Sequence, residues 1–250
     1  MMINQMQERY ARHFNLKEIG LEGQEKLRQA KVLVIGAGGL GSPVLYYLAA
    51  AGVGTIGIAD HDKVSISNLN RQILHTSADI GRKKVESGAE KLLSLNPEIS
   101  IIMHDMKVTP ENIAALLAGY NIVVDATDNF TSRFLISDYC FRLEIPLIEA
   151  GVQGFEGIIL TIIPGETPCY RCLYPNPPED RKAFEGLGIV GATAGIFGSL
   201  QALEVIKRIT GAGKTIAGIL VFDGLDGSFR NVKWSQRKDC PLCGQNPTNL

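Results

Sequence analysis

The sequence predicts an α/β fold: a mostly parallel sheet with helices on both faces, extended by antiparallel strands. Three observations predict it. Short β-branched runs alternate with helical stretches over residues 31–150, the pattern of a parallel sheet built from βα repeats. The first of these runs stops abruptly in a glycine-rich turn. Beyond Gly151 the alternation ends, and strand-like runs are arranged around a single long helix.

Residues 4–30 are polar with sparse apolar positions and predict one or two short helices ahead of the sheet. Lys31-Val-Leu-Val-Ile35 is short, apolar and β-branched, as a buried parallel strand should be. Ser42 and Pro43 open a helix to about residue 51, proline being at home in a first helical turn. Gly52 to Gly54 turn the chain into a second strand over 55–59, which completes a βαβ unit. The same reading gives helices over 83–95, 111–118 and 131–143 and strands over 99–104, 121–125 and 147–150. Antiparallel strands are expected at 157–163, 218–222 and 229–234, with a helix over 193–209. Residues 174–188, rich in proline and charge, predict a mobile loop.

The first turn reads Gly36-x-Gly38-x-x-Gly41 between a strand and a helix, and Asp60 ends the next strand. Glycines let a backbone approach phosphates, and a helix N-terminus favours their negative charge. A carboxylate at the end of the second strand suits a ribose diol, so the arrangement is that of a Rossmann-like nucleotide site. NAD and the adenosine half of ATP pose the same problem and are not separated by this motif. Ligands of such sheets lie at the strands' carboxyl ends, so Asp60, Asp128 and the glycine turn should converge on one crevice. Arg71 and Lys84, surface charges in isolation, become phosphate ligands beside such a turn. One continuous domain over 1–250 is expected: helices over 1–30, the nucleotide-binding core over 31–150 and the extension over 151–250.

Net charge is −1, from 25 basic and 26 acidic residues, which argues against a nucleic-acid partner. No segment is apolar for long enough to span a bilayer, and the first twelve residues lack the character of a signal peptide. A cytoplasmic location is therefore expected, where thiols stay reduced and cysteines serve as metal ligands or reagents. Cys169-Tyr-Arg-Cys172 and Cys240-Pro-Leu-Cys243 share one spacing, and together they offer four thiolates to a tetrahedral zinc ion. A sphere closed by four sulfurs has no position for water, so this zinc site is expected to be structural. Cys140, alone within a predicted helix, reads as a buried apolar residue.

Gly36-Ala-Gly-Gly-Leu-Gly41, Ser67-Asn-Leu-Asn-Arg-Gln72, Asp125-Ala-Thr-Asp-Asn129 and the two cysteine pairs together resemble the ThiF/MoeB/HesA family, bacterial relatives of ubiquitin-activating enzymes. The resemblance runs from Arg9-Tyr-Ala-Arg12 to Gly244. It implies an adenylyltransferase that binds ATP and magnesium. Its partner would be a ubiquitin-like sulfur carrier protein ending in Gly-Gly, whose C-terminal carboxylate attacks the α-phosphate. By the same resemblance Asp60 holds the ribose, and Gly36, Gly38, Gly39 and Gly41 line the nucleotide. Asn68, Arg71 and Lys84 contact the phosphates, Gln72 lies beside them and Asp128 binds magnesium. Arg12 would reach the triphosphate from the neighbouring subunit of a homodimer.

One departure stands out. Members of the family that go on to covalent sulfur chemistry carry a cysteine in the crossover loop, and here 182–191 contains none, with Phe184 in the expected place. A phenyl ring is no nucleophile. Adenylation without a covalent carrier intermediate, with sulfur from a separate donor, is the expectation. The competing readings are an NAD-dependent oxidoreductase and a non-catalytic carrier-binding scaffold. Against the first, His13, His61, His75 and His104 are scattered and form no constellation for hydride transfer. Against the second, a scaffold has no need of Arg12, Asn68, Arg71, Lys84 and Asp128 together.

Overall fold

The computed structural model describes residues 7–175 and 188–245. Its strands are β1 (Lys31–Ile35), β2 (Thr55–Ala59), β3 (Ser100–His104), β4 (Ile122–Asp125), β5 (Leu147–Gln153), β6 (Glu156–Ile162), β7 (Ile219–Asp223) and β8 (Ser228–Val232). Its helices are α1 (Ala11–Phe14), α2 (Gly20–Gln29), α3 (Gly41–Ala51), α4 (Lys84–Leu95), α5 (Ile113–Leu117), α6 (Phe130–Arg142), α7 (Tyr170–Leu173) and α8 (Gly191–Thr210). The described strands form an eight-stranded sheet in the order β3-β2-β1-β4-β5-β6-β7-β8. Pairing is parallel from β3 to β5 and antiparallel from β5 to β8.

The continuous apolar runs follow from burial on both faces. Along β1, Val32 and Val34 enter one core while Leu33 and Ile35 enter the other. The first core is covered by Leu27 of α2, Leu45 and Leu48 of α3, and Phe197 and Val205 of α8. The second is covered by Ile113 and Leu117 of α5, Phe134 and Ile136 of α6, and Tyr170 of α7. Each such fully buried side chain contributes about 1.5–3 kcal/mol. At the far edge β8 is exposed along its whole length.

The N-terminal segment is tied down by buried polar contacts. Tyr10 is buried and its hydroxyl accepts an N–H from Asn96 at 2.8 Å, and Gln24 Nε2 donates to the Ala51 carbonyl at 2.9 Å. No described helix is long and apolar enough to cross a membrane.

Two of the boundary shifts have a visible physical cause. Strand β5 continues beyond Ala150 because Gly151, Val152 and Gln153 pair with Ile158, Gly157 and Glu156 across a tight hairpin. Helix α5 is shorter than the expected 111–118 because the Asn112 side chain accepts the Thr109 N–H and donates to the Lys107 carbonyl. Both bonds hold the first turn out of the helix. Of the loop expected over 174–188, residues 176–187 lie outside the described residues, Lys182 and Phe184 among them.

Strand order places the ligand crevice. The chain lays β2 and β3 outward on one side of β1, then returns to put β4 on the other side. The connections leaving β1 and β4 therefore diverge at their carboxyl ends and leave a cleft. The turn from β1 into α3 is the tightest point of this cleft. Gly36 has φ +102°, in the left-handed region, and a Cβ on Gly41 would lie 1.9 Å from the Gly36 carbonyl oxygen. The Gly36 backbone is pinned there, since its N–H donates to Ala59 O at 2.8 Å. A Gly41→Ala variant should lose about 3 kcal/mol of stability or fail to fold. An unchanged denaturation midpoint in that variant would refute the close approach.

Candidate active site

The crevice at this switch point encloses about 1140 Å³, more than the roughly 300–1,000 Å³ usual for a single small ligand. Gly36, Gly38, Gly39, Asp60, Arg71, Gln72, Lys84 and Asp128 all line it. Sequence elements far apart thus supply one site.

Each side chain is held in a specific way. The Asp60 carboxylate accepts the Ala37 N–H at 2.8 Å and the Asp62 N–H at 2.8 Å, which orients it against the glycine turn. Lys84 lies in the wall at only 5% exposure, its Nζ 2.8 Å from Asp62 Oδ2 and 3.7 Å from Asp60 Oδ2. Burial opposes ionisation of Asp62, yet the Lys84 ammonium holds its carboxyl below the usual range. The Arg71 stem packs over Gly39, and its guanidinium donates to Ser67 O at 3.0 Å and to Asn70 Oδ1 at 3.1 Å. Gln72 is buried, and its Oε1 accepts no hydrogen bond. Asp128 is exposed at the opposite lip, immediately before Asn129, whose side chain caps α6 by accepting the Ser132 N–H at 2.8 Å.

Three expected residues stand apart from the lining. Gly41 acts through the turn, as the close contact with Gly36 requires. Asn68 turns its Oδ1 to the Ser65 N–H at 3.2 Å and caps the short turn Ile66–Asn68. Arg12 is exposed on α1 and is not a lining residue.

Sequence reading missed other parts of the wall. Met106, Val108 and Pro110, beyond the end of β3, supply apolar side chains to the crevice. The rule that ligands lie at the carboxyl ends of parallel strands pointed to that loop. Arg133 also lines the crevice, at 6% exposure, and donates to the Thr127 carbonyl at 2.9 Å. Its Nη1 is 3.3 Å from the buried Glu149 Oε1. Burial opposes the charge of Arg133, but Glu149, Tyr170 and Asp125 hold its pKa above the usual value. Glu149 is pushed well above the usual carboxylate range, first by burial and then by Asp125. Asp125 and Glu149 are register partners on adjacent strands, and Asp125 Oδ2 and both Glu149 oxygens lack an N–H or O–H donor. A proton held on Glu149 would let its carboxyl donate to Asp125, its neighbour across the strands.

The four cysteines meet beside α6. Sγ separations are 3.4 Å for Cys169–Cys240, 3.3 Å for Cys172–Cys243 and 3.9 Å for Cys169–Cys172, and all four ligand atoms lie within 4.8 Å of one another. A tetrahedral ion with bonds of about 2.3 Å needs sulfurs about 3.8 Å apart, so the set could hold zinc. Burial pushes the Cys169 and Cys172 thiols up, whereas at Cys240 burial is overcome by the N–H groups of Cys243 and Leu242, which bring its thiol down to about 7. The cluster packs on Phe141 and Trp234, and Arg171 between the first two cysteines forks onto Asp138 of α6 at 2.7–3.1 Å. Cys140 is fully buried, as expected.

A family model described as the ThiF family matches residues 10–242. The chain belongs to the ThiF family. Among relatives of this family member, the adenylyltransferase and sulfurtransferase MOCS3 of Aedes aegypti is 46% identical over 96% of this chain and 56% of its own length. A sulfur carrier protein adenylyltransferase of Thermus thermophilus is 41% identical over 96% of this chain and 92% of its own. The chain thus spans little more than half the length of the insect relatives it matches. Among solved structures, E. coli MccB with ATP superposes with a TM-score of 0.83 at 26% identity, covering 94% of this chain and 74% of that one.

Two predictions follow from the buried groups. Arg133→Leu should cost about 3–5 kcal/mol, because it strands a buried carboxylate, whereas Glu149→Gln should stay within about 1 kcal/mol of wild type at neutral pH. Glu149 retains a proton that the unfolded chain releases, so its contribution falls as pH rises above the ordinary carboxylate range. Denaturant titrations across pH should therefore show a flatter profile for Glu149→Gln, and an unchanged slope would contradict the shared proton. Separately, Cys172→Ala should abolish stoichiometric zinc and lower the melting temperature. Retention of both zinc and melting temperature would rule out the four-sulfur site.

Proposed function

We propose that this chain binds ATP with magnesium in the crevice and adenylates the C-terminal glycine carboxylate of a ubiquitin-like sulfur carrier protein. A carboxylate oxygen attacks the α-phosphorus, the bond to the bridging oxygen breaks, pyrophosphate leaves and an acyl-adenylate forms. Such a transfer needs positioning and neutralisation of phosphate charge more than covalent help from the protein.

The observation that carries the reading is the meeting of a ribose-type acid, two cations and a second acid around one glycine turn. Asp60 would hold the ribose hydroxyls, the turn and α3 would face the phosphates, and Arg71 and Lys84 would balance their charge. Met106 and Val108 offer an apolar surface for the purine. Asp128 would hold magnesium, which draws charge from the leaving pyrophosphate. The volume beyond a single nucleotide accommodates an extended carrier tail. Arg12, exposed and away from the crevice lining, is assigned to the partner subunit of a homodimer, and Asn68 to the phosphates from the edge of the site. A structural zinc ion held by Cys169, Cys172, Cys240 and Cys243 would brace α6, which begins beside Asp128. With no cysteine over 182–191, the acyl-adenylate would pass to a separate sulfur donor without a covalent link to this chain.

ATP with magnesium should raise the melting temperature and NAD should not. ATP–pyrophosphate exchange should appear with a carrier ending in Gly-Gly, and Asp128→Ala should lower it at least about a hundredfold while leaving the melting temperature near wild type. Full exchange in Asp128→Ala would sink the magnesium assignment. A carrier covalently bonded to this chain in a mass spectrum would overturn the non-covalent route.

A further inference from the structure

Behind the glycine turn, on the side away from the crevice, His75 is buried at 5% exposure. Its Nε2 is 3.0 Å from the Ala37 carbonyl oxygen, and its Nδ1 is 2.9 Å from Ser87 Oγ. A carbonyl oxygen only accepts, so Nε2 must carry the hydrogen. Lys91 Nζ donates to the same Ser87 oxygen at 3.0 Å and is itself 2.6 Å from Asp79 Oδ2. With Lys91 as donor to Oγ, the serine hydroxyl is free to donate to Nδ1, which must then be the bare nitrogen. The relay runs one way, from Lys91 through Ser87 and His75 to the Ala37 carbonyl. Burial, together with the charges of Lys84 and Lys91, holds the imidazole below its usual pKa and keeps it neutral.

Ala37 is therefore gripped twice. Its N–H is taken by Asp60 and its carbonyl by His75. The Ala37–Gly38 peptide is trans, so its N–H points opposite to its carbonyl. With the carbonyl drawn back to His75, the Gly38 N–H is turned toward the crevice that Gly38 lines.

We propose that His75 is a positioning residue for the nucleotide: as the neutral Nε2–H tautomer it fixes the Ala37–Gly38 peptide so that the Gly38 N–H faces the bound nucleotide. The consequence for ATP rests on the function proposed above; the tautomer does not.

The direct test is nitrogen-15 NMR of the histidine side chains of the wild-type chain at neutral pH. His75 should show a protonated Nε2 and a bare Nδ1, and the opposite tautomer or an imidazolium would overturn the proposal. Calorimetry with ATP and magnesium supplies the second readout. His75→Phe fills the space without a donor and should weaken ATP binding about tenfold, roughly the value of one hydrogen bond. His75→Gln keeps a donor for Ala37 and an acceptor for Ser87 and should recover most of that loss, with the carrier KM unchanged in both. Wild-type affinity in His75→Phe, or equal impairment of the two variants, would overturn the proposal. If His75→Phe does not fold, Ser87→Ala takes its place: the Ala37 carbonyl still requires the Nε2–H tautomer, but the ring loses its second tether, so ATP binding should weaken a few-fold, and an unchanged affinity would count against the relay. A wild-type chain that binds no ATP would sink the functional reading, while the tautomer would still decide the clamp.

Discussion

The contact between the Gly36 carbonyl and the Cα of Gly41 sets the dimensions of the site. It brings the start of α3 against the end of β1 with no room for a side chain, and the crevice opens from that point. Asp60 then bonds to the backbone of the same turn, and Lys84 is drawn to Asp60 and Asp62. A close backbone approach thus comes first, and the charged side chains take their positions from it. Hydrogen bonds to ionised groups are the stronger kind, and here they are spent on the backbone that bounds the site as well as on its mouth.

The second organising feature is charge buried beneath the floor. Asp125 at the end of β4, Glu149 within β5 and Arg133 of α6 are buried together, and Gln201 of α8 donates to the Asp125 and Ile148 carbonyls at 2.7 and 3.2 Å. Such clusters add little stability over an apolar filling of the same shape. What this one supplies is geometry: Arg133 holds the Thr127 carbonyl, next to Asp128. From the other end of α6, Asp138 receives Arg171 from the cysteine cluster, and the Arg171 guanidinium lies 5.1 Å from the Phe134 ring centre. One helix thereby links the acid at the crevice lip to the cysteines.

How much of this was legible in the sequence depends on the range of the interaction. The parallel strands were readable because burial on both faces leaves only apolar residues, as in Ile122-Val-Val-Asp125. The cysteine cluster was readable because two identical spacings announce paired ligands. The glycine turn, Asp60, Arg71, Gln72, Lys84 and Asp128 were assigned together, and they share one crevice. His75 was not legible. A buried imidazole and an exposed one look alike in sequence, and its partners lie on the glycine turn and on α4. Arg133 was missed for a similar reason, since an arginine one turn into a helix is ordinarily a solvated charge. The extra residues of β5 came from pairing across a hairpin that no local periodicity records.

The cysteine cluster also imposes an order of events during synthesis. Cys169 and Cys172 leave the ribosome well before Cys240 and Cys243, by several seconds at the roughly 5–20 residues per second of translation. Until the later pair emerges, the first two sulfurs offer an ion only half a coordination shell and stay open to oxidants. Closing the shell around an ion would wait for the second pair, so metal supply and thiol protection would bear on the chain's maturation before they bear on its finished fold.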